Sequence, residues 1–541
     1  LEVQEEEGEA TNTKGINDEQ LLNRLLYKGV LPRYAFPTDV CTFYVFDDNT
    51  DAYRPTFAYT PSQGLGVALS QYAPGKEVWI DKKEYKSRAI YSVDPNERSE
   101  MWDERRFFLE CQHCHFSMTG GGKNARDDDL HLPKDLKRGD DIDCPACKTE
   151  KGMKFARNWI RPTGFVHSFH ENPRTADSDL EETSYATPAR LIMQSPPINQ
   201  KEWSAINNNL KYIKDRRKLI ITNRGPKESG YNYCRKCGYI EQYATSTQKT
   251  SHNVPFPVKE GEQVKCDTKL NQGIVLGTDF ETDIALFSIK LNDPVKLKPG
   301  DNNTAIALKT ICEAITHAAS ELISVENSEI VAQFRPSLDD NMRGSLGEAA
   351  EIFIYDTIAG GAGFSHKIAD CGLELFERAL KILKNCPNEE CFSSCYRCLR
   401  SFKNKIDHKL LDRISAADLL ENLIYNKKIE IDAKRKTLCK NILSDSLSNA
   451  LNNKKYKVVL DKKVKFSNGI TIVPLVIENI QDNTEYFISV ESALTRSDYF
   501  ADPILNEAND DDPRIIPPIS DLIIRENIQF AISEILSSIN E

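Results

Sequence analysis

Fifteen cysteines stand in the 541-residue sequence, and most fall in groups whose spacing suits a metal ion. Cys386, Cys391, Cys395 and Cys398 lie within thirteen residues. Four thiolates that close can wrap one Zn²⁺ tetrahedrally, with Zn–S bonds of about 2.3 Å. Cys111-x-x-Cys114 and Cys144-x-x-Cys147 are separated by 29 residues. Paired CxxC knuckles of this kind predict a four-cysteine zinc ribbon rather than four free thiols. His113, His115 and His131 stand nearby, but four thiolates make them unnecessary as ligands. Cys234-x-x-Cys237 opens a further knuckle that has no second CxxC; Cys266 is available, Lys269 stands where a fourth Cys would be, and His252 can complete a site of three thiolates and one imidazole. The alternative is a knuckle that has lost its metal. Cys41, Cys312, Cys371 and Cys439 stand alone and are expected to be core thiols. The cofactor expected is therefore Zn²⁺, two to three per chain.

Other chemistry is sparse. A nucleotide-driven motor needs GxxxxGK[ST]. The nearest stretch, Gly120-Gly121-Gly122-Lys123, has Ser117 and Asn124 where Gly and Ser or Thr are required, and it lies inside the ribbon. His366-Lys367 and His408-Lys409 lack the spacer of an H-x-K nuclease site. Glu491 has no E-x-K partner, and H-E-x-x-H is absent. No catalytic residues are assigned. Lys211, Lys214, Arg216, Arg217, Lys218 and Arg224 form the densest basic patch. It reads either as a nucleic-acid contact or as the solvated face of a helix. In Gly360-Gly361-Ala362-Gly363, the N–H groups around Gly361 and Gly363 can face a phosphate at a helix start. The plainer reading is that Gly is needed there only for positive φ and close packing, since no Lys follows.

The elements that must position these groups are legible in part. Glu351–Asp356 reads as a buried strand running into the glycine turn. Ser365 is expected to cap one helix, with Ile368, Gly372, Leu375, Ala379 and Ile382 on one face, that delivers the chain to Cys386. Ser415-Ala416-Ala417-Asp418 looks like a capping box opening the next helix. Thr304–Ile323 is an amphipathic helix, on which His317 is expected to be packed; 283–289 and 330–334 are strands. Between Val40 and Val93 short strands are expected at 41–46, 66–70, 78–80 and 88–93. After Tyr425 a helix to about Leu451 precedes short strands at 456–460, 464–466, 471–477 and 486–490, and a closing helix through Ile523, Ile528, Ile532 and Ile535.

Taken together, Tyr355-Asp356, the glycine turn, the apolar helix, the four cysteines, Asn404 and Leu411-Asp412-Arg413 resemble the MrfA-type zinc-binding domain. That domain sits at the C-terminal end of superfamily 2 DNA helicases of the MrfA type and occurs in proteins of the Druantia and DISARM anti-phage systems. Leu276–Asp283 is similar to the family's opening strand, and His252, Pro255 and Cys266 to half of its zinc site. The matches run from about His252 to Tyr425. Gly29–Asp39 resembles the segment that follows the motor in such helicases. The resemblance implies a non-catalytic, zinc-binding, DNA-engaging C-terminal module or accessory subunit of an ATP-dependent helicase, in DNA repair or anti-phage defence. Its implied partners are DNA and a helicase motor, in cis upstream or in trans. The alternative is a protein–protein adaptor that docks a helicase without touching DNA.

Length and composition bound the rest. A chain this long needs several cores. The fold class expected is α+β (mixed α/β) and multidomain, with two or three small zinc modules and a C-terminal small sheet plus helices. The expected divisions are an acidic linker with a short helix at Leu21–Leu26 (1–28), a β-rich domain (29–105), the ribbon (106–160), a β-rich segment with the second knuckle (161–272), the α/β zinc-binding domain (273–425) and a C-terminal α+β domain (426–541). An odd cysteine count without a signal peptide points to a reducing cytoplasm, and no apolar run reaches membrane-spanning length. The first residue is Leu, so the chain is expected to be a fragment or a processed product. Net charge is −11, so any nucleic-acid contact must rest on local basic patches.

Overall fold

A computed structural model describes residues 39–113, 116–120, 136–145, 148–173, 190–191, 203–242, 251–259, 261–291, 294–295, 297, 302–336, 349–358, 360–401, 404–451 and 455–540. The acidic linker, the Leu21–Leu26 helix, most of Gly29–Asp39, Cys114 and Cys147 lie outside the described residues. The architecture is mixed α/β with several sheets.

One strand organises it. The stretch Asn271–Lys290 is rich in β-branched and aromatic residues and is extended for 20 residues. Labelling the strands of its sheet in chain order, β1 is Arg106–Glu110, β2 Arg157–Ile160, β3 Leu210–Asn223, β4 Asn271–Lys290, β5 Ile330–Pro336 and β6 Ala349–Asp356. β4 pairs antiparallel with β3 from Leu210↔Ile289 to Asn223↔Leu276. On its other edge it pairs with β6, Ile284↔Tyr355 to Lys290↔Ala349, and runs parallel to β2 at Val275↔Trp159. β1 pairs with β2, and β5 with β6. Strands from the stretches read as the ribbon, the second-knuckle segment and the zinc-binding domain thus share one sheet, because β4 is long enough to pair with β2, β3 and β6 along its length.

The period-two alternation of β4 divides its side chains between cores. Ala285, Phe287 and Ile289 enter the core built with helix α1, Asn302–Ile323. Ile284 and Leu286 enter the opposite one with Leu219, Phe353 and Tyr355. Ile274 and Leu276, nearer its start, pack on Phe43, Leu69 and Phe165 of the N-terminal sheet. That N-terminal sheet includes the strands Val40–Phe46, Lys83–Ile90 and Gly164–His167. The expected strand at 66–70 is instead a helix, Leu65–Gln71, with Leu65, Ala68 and Leu69 buried on one side. The spacing of 65, 68 and 69 is helical, and the short apolar run had hidden it.

Past β6 come α2, Phe364–Asp370, and α3, Leu373–Lys384. They were expected as one helix. Gly372, at φ +53°, breaks it and re-aims the chain toward the cysteines. Phe376 of α3 meets Phe287 of β4 edge to face, with ring centroids 5.3 Å apart. Helix α4 is Arg413–Tyr425; its N-cap is Asp412, which accepts from Ser415 N, so the helix starts before the expected box at Ser415. Then follow α5, Ala433–Ala450, an antiparallel meander of β7 (Tyr456–Phe466), β8 (Gly469–Asn479) and β9 (Glu485–Ile488), and the helices α6, Asp521–Glu526, and α7, Ile528–Asn540. Their shared core holds Cys439, Leu443, Leu475, Ile488, Ile524 and Ile535. No described helix is long and apolar enough to cross a membrane.

A buried charge network bolts this C-terminal unit to α4. Arg525 of α6 donates to both carboxylate oxygens of Asp412, at 2.8 and 3.0 Å. Both side chains are at most 5% exposed. Arg435 of α5 pairs with Asp418 of α4 at 2.7 Å and faces Asp521 at 3.5 Å. Burial pushes the Asp412 carboxyl up, but the Arg525 guanidinium outweighs it and holds the group below the usual carboxylate range. The resulting stability is present above the unfolded-state value of about 3.9 and is lost as pH falls through the lower native value. Removing one partner leaves the other charge buried. Arg525→Met is therefore expected to cost about 3–5 kcal/mol, read in denaturant unfolding of the 426–541 region. An unchanged midpoint would show that the pair does not hold the junction.

Candidate metal centres

The loop after α3 turns on itself. Cys391 N donates to Asn388 O, while Cys398 N, Leu399 N and Arg400 N all donate to Cys395 O, each at 3.0–3.1 Å. Leu399 anchors it in the core beneath β4. The four sulfurs of Cys386, Cys391, Cys395 and Cys398 come within 4.8 Å of one another. Their closest separations are 3.6 Å (386–395), 3.7 Å (395–398) and 3.9 Å (391–398). A tetrahedron with metal–sulfur bonds of about 2.3 Å has edges of about 3.8 Å. A disulfide would need about 2.05 Å, so the four are free thiols arranged around a point. Burial pushes Cys395 up, but the backbone N–H of Arg397 and the neighbouring thiols draw it down to about 7. Burial pushes Cys391 and Cys398 up. Zinc binding would require all four as thiolates, with release of their protons.

The second group is Cys234, Cys237, His252 and Cys266, all buried and again within 4.8 Å. Tyr231–Tyr233 pairs with the start of β4 and delivers the first two thiols. His252 and Cys266 are cross-strand partners in a two-stranded ladder. Cys234 Sγ lies 3.8 Å from Cys266 Sγ, and Cys237 Sγ 3.1 Å from His252 Nε2. The Cys237 thiol, donating to Cys234, draws Cys234 down to about 4 against the effect of burial. His252 Nδ1 is buried with no hydrogen-bond partner among the described residues, and its ring stacks on Tyr239 at 4.7 Å. Gly238 closes the knuckle at φ +75°, where a side chain would strike Ile90 O. Its own carbonyl accepts from Ile90 N at 2.9 Å. The site is thus pinned to the N-terminal sheet, and three thiols with one imidazole suit Zn²⁺.

Of the expected ribbon, Cys111 and Cys144 are buried in one small core with Phe116, Met118 and Met153. Their CxxC partners Cys114 and Cys147 lie outside the described residues. Cys41, Cys312 and Cys439 are buried lone thiols, and burial raises each one's pKa.

The nucleic-acid candidates sit differently from expectation. Lys211 to Lys218 lie on strand β3 rather than on the helix of the alternative reading, and several of them are paired with acids of the chain. Lys214 pairs with Asp370, Arg217 with Asp215 at 2.5 Å, Lys218 with Asp279 at 3.0 Å and Arg224 with Glu228 at 2.8 Å. Arg216 donates to Gly360 O, and Lys211 is exposed. The glycine turn is equally occupied. Asp356, at the end of β6, accepts from Ala362 N (2.6 Å), Phe364 N (3.1 Å) and Ser365 N (2.8 Å). Gly363 N donates to Asp283, Gly361 N to Ile358 O and Gly360 N to Glu281 O. The anion that the N–H groups around Gly361 and Gly363 were expected to receive is the protein's own Asp356. Sequence reasoning had the strand carrying Asp356 but not its direction of reach. It also gave no role to Arg413, whose guanidinium donates to Cys391 O at 2.8 Å and Leu383 O at 3.1 Å.

Elemental analysis of the purified chain should find at least two zinc ions. Cys395→Ser should remove one and raise hydrogen exchange across Cys386–Arg413, leaving the other in place; His252→Ala should remove the other alone. Undiminished zinc in both variants would make these ordinary buried thiols.

The first group also lies inside a stretch that matches a known protein family. The MrfA Zn-binding domain family matches residues 311–399, which include all four thiols of the first group. The chain is 28% identical over 454 residues to the Druantia protein DruE of Escherichia coli (strain UMEA 4076-1), a match covering 78% of this chain and 23% of that one. The chain thus spans about a quarter of that relative's length. It is 33% identical over 82 residues to the uncharacterized protein MJ1572.1 of Methanocaldococcus jannaschii, covering 15% of this chain and 70% of that one. Among solved structures, the DUF1998 helicase MrfA bound to DNA aligns with 71% of this chain and 34% of its own, at 10% identity and a TM-score of 0.32. Residues 311–399 of this chain thus match the MrfA Zn-binding domain family.

Proposed function

We propose that this chain is a non-catalytic, zinc-holding and DNA-engaging part of an ATP-dependent superfamily 2 helicase, either its C-terminal portion or an accessory subunit. The observation that carries this is the convergence of four thiols at tetrahedral separations inside the stretch that matches the MrfA Zn-binding domain. Similarity to a Druantia protein over most of the chain supports a place in anti-phage defence, with DNA repair as the other setting. Zinc would act here as a scaffold. Cys386, Cys391, Cys395 and Cys398 would hold one ion and Cys234, Cys237, His252 and Cys266 another, with Cys111, Cys114, Cys144 and Cys147 as the ribbon that takes a third. The motor would lie upstream in the same protein or on a partner, in the cytoplasm. In this reading residues 273–425 are the zinc-binding domain and 426–541 a separate C-terminal unit.

A second reading, an adaptor that docks a helicase without touching DNA, is favoured by one observation. Of the cations that were candidates for phosphate contact, Lys214, Arg217 and Lys218 of β3 and Arg224 just after it are paired with the protein's own acids.

Binding of the zinc-loaded chain to DNA separates the two. The first reading expects an affinity that falls steeply as salt rises, because each phosphate contact releases counterions. It also expects no ATP hydrolysis by the chain alone, with or without DNA. Absence of DNA binding at low salt would leave the adaptor; robust turnover that survives further purification would mean a motor is present.

A further inference from the structure

Phe392 and Tyr396 are 65% and 69% exposed, and each directly follows a thiol of the first metal group. Large aromatic rings left in water are worth explaining when their backbone is rigid. Here it is held on every side. Arg413 N donates to Ser393 O at 2.8 Å, the Arg413 guanidinium grips Cys391 O, and Cys395 O accepts three N–H groups. The Tyr396 ring stands edge-on to His408 at 5.3 Å, and His408 Nε2 is fixed by Ser401 O at 3.0 Å and Asn404 Oδ1 at 3.1 Å.

The charge beside these rings is positive. Arg397, Lys405 and Lys409 are exposed and make no ion pair among the described residues. The acids of the same stretch are engaged inward, Asp407 by Lys309 at 3.0 Å and Asp412 by Arg525. Glu389 and Glu390 are exposed just before Cys391 and bound the positive face on that side.

We propose that this face binds single-stranded nucleic acid, with bases stacked on Phe392 and Tyr396 and phosphates met by Arg397, Lys405 and Lys409. Stacking needs unpaired bases, whose faces a duplex hides. The site rests on the DNA-engaging reading above and moves the contact from β3 to the cysteine loop. The metal groups would then serve to hold the rings in place.

Fluorescence anisotropy of the zinc-loaded chain with labelled oligothymidylate, beside a duplex of equal length, is the test. The single strand should bind more tightly. Phe392→Ala and Tyr396→Ala should each weaken it by about ten-fold, while Tyr396→Trp should retain it. Replacing Arg397, Lys405 and Lys409 by Ala should lower the salt dependence. Zinc content reports whether each variant keeps its fold, and Tyr396→Trp checks the ring where Ala does not fold. Unchanged affinity in the Phe392→Ala/Tyr396→Ala double variant would overturn this site and leave DNA engagement elsewhere standing. A wild-type chain that binds no nucleic acid would overturn the DNA-engaging reading itself.

Discussion

Two adjacent side chains of opposite charge hold the centre of this molecule. Asp412 caps α4 through Ser415 and receives the Arg525 guanidinium from the C-terminal unit. Arg413 turns the other way, to the carbonyls of Cys391 at the cysteine loop and Leu383 at the end of α3. The amide of Asp412 also donates to Thr310 of α1. One dipeptide thus joins two helices, the metal loop and the last unit of the chain. Buried charge is costly, and here each charge is met by more than one partner. The junction has one stable geometry because any other leaves a carboxylate or a guanidinium unpaired in a dry core.

The metal groups solve a different problem. The thirteen-residue cysteine loop buries little beyond Leu399, and the His252–Cys266 ladder packs only a small cluster with Val254, Phe256 and Leu270. Each hangs from a rigid element, α3 in one case and the start of β4 in the other. Backbone hydrogen bonds such as the three onto Cys395 O turn the loop, and a bound Zn²⁺ would lock the four sulfurs at their tetrahedral separations. What it adds is closure, since thiols alone repel when deprotonated and pack loosely when not.

Much of this was legible in the residues. The amphipathic pattern of Thr304–Ile323 and the apolar run before Asp356 became α1 and β6 with bounds shifted by two residues. The cysteine and histidine spacings named both four-ligand groups. Other features were hidden for physical reasons. Lys211–Lys218 gave no sign of their pairing, because the acids that meet Lys214 and Lys218, Asp370 and Asp279, are far away in sequence. The glycine turn looked like a phosphate cradle because its N–H groups do point together; only the fold places Asp356 beneath them. Two helices ran together because Gly372 keeps the apolar spacing across a break in the backbone. The continuity of β7 across Leu460–Val464 was hidden by Asp461, Lys462 and Lys463, whose charge resembles a turn and whose strand pairing, at Lys462 and Lys463, is set by β8.

The central claim is that these two groups of side chains are zinc sites that fix the surfaces around them. X-ray absorption at the zinc edge of the purified chain tests this most directly. The account predicts a four-coordinate shell dominated by sulfur at about 2.3 Å with a minor nitrogen contribution near about 2.0 Å, from three-thiolate-one-imidazole and four-thiolate ligation together. A shell made mainly of oxygen or nitrogen, or a chain that carries no zinc when purified without chelators, would contradict it.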